Sequence, residues 1–290
     1  MDQAQNLRNI IKMQNQKMIQ NARVISVTSG KGGVGKSNTS VNIALQFQRQ
    51  GKIVIIFDAD FGLANIEVMF GIIPKYNLGA LMFKGKELKE IITPGPEGVG
   101  FISGGSGIAK LVNLDKEQIK RLVGKLSELD ELADVIIIDT GAGISSSVME
   151  FLVASPETIL VTTPEPASIT DSYALLKALS MNEDYSPEKC KVKLIANRVG
   201  KKEEGQNLYE KLSAVSSRFL NIELEYLGAI PFDNNITKAV MTQEPVSLKY
   251  PGSVSSKCYE DIVNILENKE ISSHNNIGVR NFFKSVFLKK

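Results

Sequence analysis

The chain has 290 residues, 43% hydrophobic and 23% charged, and contains no apolar run long enough to span a bilayer, which excludes a transmembrane protein. Its net charge of +2 conceals basic ends around an acidic body: Arg8, Lys12, Lys17 and Arg23 outnumber Asp2 at the start, and Arg280, Lys284, Lys289 and Lys290 stand at the end without an acid. A broad electrostatic footprint for nucleic acid is therefore not expected. Cys190 and Cys258 are far apart and lack CxxC spacing, so inert thiols are expected rather than a metal or iron-sulfur site. The opening stretch is rich in glutamine and asparagine and lacks the apolar core of a secretory signal, which predicts a cytoplasmic chain.

Residues 1–22 read as a polar extension. From residue 23 onward, short β-branched runs alternate with longer amphipathic stretches, the pattern of a parallel sheet crossed by helices. Strands are predicted at 24–28, 53–58, 99–103, 135–139, 158–162, 192–197 and 224–230, and helices at 37–50, 116–129, 145–154, 169–180 and 207–219. These elements predict one α/β domain over 23–270, a doubly wound and mostly parallel sheet of about seven or eight strands. A hinge and an amphipathic helix follow at 271–290.

The run Thr28-Ser-Gly-Lys-Gly-Gly-Val-Gly-Lys-Ser37 follows the first strand and opens a helix, the context that a GxxxxGK[ST] phosphate loop requires. Gly30, Gly32, Gly33 and Gly35 let backbone amides turn inward around a β-phosphate. Lys36 is placed to reach the β/γ oxygens, and Ser37 to ligate Mg²⁺ at the helix N-terminus. With Lys31, Val34 and Asn38 these residues form the expected phosphate-binding set.

Lys31 inside the loop makes the segment resemble the deviant Walker A ATPases, the family containing MinD and ParA, over residues 23–267. The resemblance implies that Lys31 reaches across an ATP-sandwiched homodimer to the partner's phosphates, so that ATP binding drives dimerisation. It also bears on Phe57-Asp-Ala-Asp60, after the second strand, and Val135-Ile-Ile-Ile-Asp139, which leads into Thr140-Gly-Ala-Gly143. Asp58 and the Walker B type Asp139 would hold Mg²⁺ with Ser37, and Asp60 would position the attacking water near Asn65. Lys31, Lys36 and Asp60 are thus the expected catalytic groups. Asn197 and Arg198, at the end of one strand, and Pro231, Phe232 and Asp233, at the end of another, match family positions around adenine. An amide such as Asn197 can pair with adenine N6 and N7, and the NKxD signature of guanine recognition is missing, although Asn197 and Pro231 also suit simple turns.

The two ends narrow the resemblance. Wound as a helix, Val279, Phe282, Phe283, Val286 and Phe287 share one face with basic residues beside it, the pattern of a membrane-surface helix, with a terminal helix packed on the body or on a partner as the alternative. MinD ends in a similar tail. The start, Asp2-Gln-Ala-Gln-Asn-Leu-Arg8, looks like the DQAxxLR element of the FlhG branch (also called YlxH or FleN). There Asp2, Gln3, Leu7 and Arg8 would meet an FlhF-type GTPase, with Gln3 directed toward its active site. What the resemblance implies is a slow, dimerising, membrane-associating ATPase that regulates flagellar number and placement, with flagellar C-ring proteins as further partners. A division-site regulator, a DNA-segregation protein and a nucleotide-indifferent adaptor remain the alternatives.

Overall fold

The computed structural model describes residues 21–60, 65–105, 116–268 and 278–288. Asp2, Gln3, Leu7 and Arg8, and the hinge expected before the last helix, lie outside the described residues. Eight strands form one sheet: β1 (Arg23–Ser29), β2 (Val54–Ala59), β3 (Thr93–Pro94), β4 (Gly100–Ile102), β5 (Val135–Ala142), β6 (Glu157–Thr162), β7 (Lys191–Val199) and β8 (Leu224–Pro231). Their order is β3-β4-β2-β5-β1-β6-β7-β8, parallel throughout except for the β3–β4 pair. The seven predicted strands are all present, and β3 is the addition.

The longer helices are α1 (Lys36–Arg49), α2 (Lys116–Leu126), α3 (Ser146–Ala154), α4 (Pro166–Ser180), α5 (Lys202–Leu220), α6 (Val254–Asn268) and α7 (Gly278–Phe287). Side chains alternate across each strand, so the sheet supplies two cores. Val54 and Ile56 of β2 and Ile137 of β5 pack with α1 and α6 on one face. Ile55, Phe57, Ile136 and Ile138 pack on the other with α2, α3 and α7. Leu160, Leu194 and Ala196 extend that second face beneath α3, α4 and α5.

The same alternation builds the functional edge. Asp58 and Asp139 are register partners on the adjacent strands β2 and β5, and Asp139 is also opposite Val27 of β1, just before the phosphate loop. Because Phe57 and Ile138 face the second core, Asp58 and Asp139 face the α1 side.

One placement differs from the expectation for the chain's end. The face formed by Val279, Phe282, Phe283 and Val286 is buried against the body, with Phe287 partly buried beside it. Phe283 lies with ring centroids 5.2 Å from Phe57, and Phe282 lies 6.1 Å from Phe151 of α3. Asp130 fixes the start of α7 by accepting from Val279 N at 3.0 Å, and it also accepts from Ala22 N at 2.9 Å at the entrance to β1. The segment at 278–288 is therefore part of the domain's core in this structure and not a separate membrane-facing unit. The physical reason is that an apolar helix face gains roughly 1.5–3 kcal/mol for each large side chain it buries, whether the cover is protein or lipid.

Candidate active site: the phosphate loop and its carboxylates

The phosphate loop joins β1 to α1, and two of its glycines, Gly30 and Gly35, are required by what lies against them. A Cβ on Gly30 would sit 2.2 Å from the backbone carbon of Asp171 in α4, so the loop runs flush against that helix. Gly35, the residue before α1, has φ +100°, and a Cβ there would meet Asn197 Nδ2 at 2.3 Å. Gly32 and Gly33 face open space, where a phosphate can approach the backbone amides.

Behind the loop, Asp139 is fully buried and collects three donors: Lys36 Nζ at 3.0 Å, Ser37 Oγ at 2.7 Å and Ser40 Oγ at 2.7 Å. The loop lysine and serine thus converge on the carboxylate that ends the β5 apolar run. Asp58 beside it accepts from Asp60 N at 3.1 Å and Ile66 N at 3.4 Å. Burial, and then the neighbouring Asp139 charge, push the Asp58 carboxyl up to about 8 against the pull of those amides and Lys36. Two carboxyl groups held together away from water resist ionising together, and a divalent cation between them would let both carry charge, while Ser37 adds a hydroxyl oxygen of the hardness such an ion prefers. The residues present therefore fit Mg²⁺.

Asp60 and Asn65 stand at the mouth, joined by a 3.0 Å hydrogen bond from Asn65 Nδ2 to Asp60 Oδ2. With Gly32, Gly33, Lys36, Ser37 and Asn38 they line a cavity of about 410 Å³. Arg198 borders this cavity and also a second one of about 180 Å³ lined by Asn38, Asn197, Pro231, Phe232 and Asp233. Segments separated in sequence by some 200 positions thereby line two adjoining cavities, which share Gly35, Asn38 and Arg198, at the C-terminal edge of the parallel sheet, where α/β folds place their ligands.

Within the second cavity two residues do more than the sequence indicated. Asn197 is buried, with Nδ2 donating to Val34 O at 2.7 Å and Oδ1 accepting from Arg198 N at 2.9 Å. Its amide braces the phosphate loop and has one N–H and one lone pair left for a base. Asp233 caps the helix Asn234–Met241 through Asn235 N and accepts from Ser255 Oγ at 2.7 Å, so it ties the end of β8 to the start of α6. Phe232 stands largely exposed at the rim.

Lys31 is half-exposed and its Nζ lies 3.1 Å from Glu165 Oε2, at the turn into α4. Glu165 and Ser40 were not singled out from the sequence. Ser40 follows Lys36 by four positions, the spacing that shares a helix face, whereas nothing local to Glu165 points to Lys31. Among the described residues no group of three or more His, Cys, Asp or Glu side chains gathers as a metal site. Cys190 is buried, and burial pushes its thiol up to about 12, as expected for an inert cysteine.

A ParA family model, described as an NUBPL iron-transfer P-loop NTPase, matches residues 20–267. The chain belongs to the ParA/MinD family of P-loop ATPases. It is an ATPase and a nucleotide-binding protein. Within the family it is similar to the antiactivator FleN of Pseudomonas aeruginosa, with 41% identity covering 83% of this chain and 84% of FleN. The flagellum site-determining protein YlxH of Helicobacter pylori is 36% identical, covering 98% of this chain and 97% of YlxH. MinD of Pyrococcus horikoshii, solved with Mg-ADP, shares the fold at a TM-score of 0.68 and 22% identity over 87% of this chain and 99% of its own. A ParA family ATPase of Chlorobium tepidum matches at a TM-score of 0.69 and 22% identity, covering 85% of this chain and 99% of its own.

Proposed function

We propose that this ATPase is a flagellar regulator of the FleN/YlxH kind, a slow switch whose ATP-bound dimer associates with the membrane and whose N-terminal residues 2–8 stimulate an FlhF-type GTPase. The observation that carries the flagellar reading is the similarity to FleN and YlxH, and that to YlxH runs over 98% of the chain. The acidic body and the family's mode of dimerisation suit homodimers and protein partners, with flagellar C-ring proteins among them, rather than nucleic acid.

In this reading Ser37, Asp58 and Asp139 would hold Mg²⁺, which would supply positive charge against the charge of the phosphates. Lys36 exchanges Asp139 for the phosphates. The loop amides around Gly32 and Gly33 orient the triphosphate, and Asp60, steadied by Asn65, positions the attacking water. Lys31 leaves Glu165 for the partner's phosphates, so the dimer is favoured only while the γ-phosphate is in place. Asn197, Pro231 and Phe232 receive the base.

The tail contributes the link to the membrane. Phe283 packs on Phe57, the residue immediately before Asp58, and Phe282 and Phe287 pack on Phe151 of α3, which follows the Thr140–Gly143 turn. Both carboxylate loops therefore have a neighbour in the groove that holds α7. Their rearrangement around ATP loosens that groove, and two released tails on one dimer bind a bilayer more strongly than one through avidity. The test is vesicle sedimentation of the intact chain and of Lys31→Ala, with ADP or a slowly hydrolysed ATP analogue. Pelleting of the intact chain with the analogue alone, and of the variant under neither condition, is expected; pelleting that ignores nucleotide would refute the switch.

A further inference from the structure

Away from the nucleotide groove, the helix Leu78–Phe83 ends in a tight turn where Gly85 has φ +65° and both Lys84 N and Lys86 N donate to Ala80 O. The turn projects Phe83, 47% exposed, together with Lys84. Beside it the Tyr76 ring is flanked by two ammonium groups, Lys86 Nζ at 4.4 Å and Lys75 Nζ at 5.3 Å from the centroid. Lys89 is exposed on the next helical turn. Lys125 of α2 donates to Lys86 O at 3.0 Å and so fastens the turn to the helix that α7 also packs on. Glu87 and Glu90 are the nearby acids in sequence, and Glu90 is already engaged by Lys86 Nζ at 2.8 Å and by Glu87 N at 2.9 Å.

We infer that the turn at 83–86, with Lys75, Tyr76 and Lys89 around it, is a second lipid contact that docks the body on an anionic membrane beside the tail helix. It rests on the membrane reading proposed above and names a surface which that reading does not contain. The charge is local and stands out against an acidic body, and its sign is complementary to anionic headgroups. The exposed Phe83 at the tip, with exposed Lys84 beside it in the chain and the ammonium groups of Lys75 and Lys86 at half-buried Tyr76, suits the interfacial layer, where an aromatic ring enters the headgroup region while ammonium groups stay at the phosphates. The location agrees. Leu78, Leu81, Leu88 and Ile91 beneath the turn belong to the same buried cluster as Val279, Phe282, Phe283 and Val286, so the turn and the tail cover one face of the sheet. A nucleic-acid surface would want a longer basic track than one turn with a single aromatic tip.

The experiment is vesicle flotation of the full chain with a slowly hydrolysed ATP analogue, on zwitterionic vesicles and on vesicles containing phosphatidylglycerol. The variants are Phe83→Ser and Lys84→Gln/Lys89→Gln, all at exposed positions. On anionic vesicles the double lysine variant is expected to partition about thirtyfold less, from roughly a tenfold loss for each 1.4 kcal/mol and about 1 kcal/mol per lysine. Phe83→Ser should weaken binding to both vesicle types, and ATP hydrolysis and the thermal midpoint should not move. If the intact chain floats and both variants float equally well, the turn has no lipid role and the tail reading stands. An intact chain that floats on neither vesicle overturns both. Salt-sensitive duplex DNA binding by anisotropy, lost in the lysine variant while flotation is unchanged, would assign the turn to nucleic acid and overturn the inference.

Discussion

The phosphate loop and the tail helix are both made of short, strongly patterned segments, yet they behave differently as evidence. In the loop, the residues that matter are polar and their roles follow from backbone geometry: Gly35 adopts φ +100°, Lys36 and Ser37 turn onto Asp139, and the sheet register sets Asp58 next to it. In the tail, the apolar face says only that α7 needs a cover. Phe57, Ile138 and Phe151, spread over almost a hundred positions, provide one within the body. A polar constellation specifies its ligand by donors and acceptors, whereas an apolar stripe specifies no partner, because hydrophobic burial has no direction.

That contrast can be broken most forcefully at Phe283. Phe283→Ala, which empties a fully buried site between Phe57 and Phe287, should cost about 3–5 kcal/mol in chemical denaturation. A loss near zero would mean the tail does not rest on the body in solution. Lys36→Ala sharpens the other side. Nucleotide affinity by titration calorimetry should fall about 100-fold, since truncating one member of a buried charged pair costs roughly 2–5 kcal/mol. Unchanged ATP affinity would contradict the loop assignment.

A third prediction concerns acid. Glu157, at the start of β6, bridges Arg23 at 2.6 Å and Lys193 at 2.5 Å. Burial alone would raise its carboxyl, but the hydrogen bonds and charges of Arg23 and Lys193 outweigh it and lower the value from 4.5 to about 2. A depressed carboxylate stabilises the fold above its unfolded value and loses that contribution as pH falls between about 4.5 and 2. Glu157→Gln should therefore lower the thermal midpoint at pH 7 and approach the parent protein's midpoint as pH is brought down to 3. Parallel curves over that range would remove Glu157 as the cause. The smallest effect is expected at Glu165. Both members of the Lys31 pair are substantially exposed, so Glu165→Gln should leave stability unchanged and shift the ATP-analogue dimer to about twofold lower protein concentration in sedimentation velocity. A weaker dimer would make Glu165 part of the interface instead.

Much of the fold was legible because β-branched runs and helical periodicity both repeat over several residues; seven strands and the helices α1 to α5 lie where the pattern places them. The short elements were not. Thr93–Pro94 is two residues, too brief for a period, and Asn65–Phe70 and Leu88–Ile91 are helices of less than two turns. The helices at Asn234–Met241 and α6 lie outside the expected set, although Asp233 before the former is a sound N-cap signal. In the site, Gly30, Lys36, Ser37, Asp58, Asp60 and Asp139 were readable from contiguous motifs. The bracing of Val34 by Asn197, the third donor Ser40 and the hold of Glu165 on Lys31 depend on contacts between segments over 100 residues apart or on which helix face turns inward.

In the proposed switch, one apolar helix face is covered by the body in one nucleotide state and by lipid in the other. Hydrogen exchange of residues 278–287, with ADP and then with a slowly hydrolysed ATP analogue, reads this directly. Strong protection with ADP, lost with the analogue and regained when anionic vesicles are added, is the predicted result. Equal protection with both nucleotides, without vesicles, would mean that the helix stays on the body and that nucleotide does not control it.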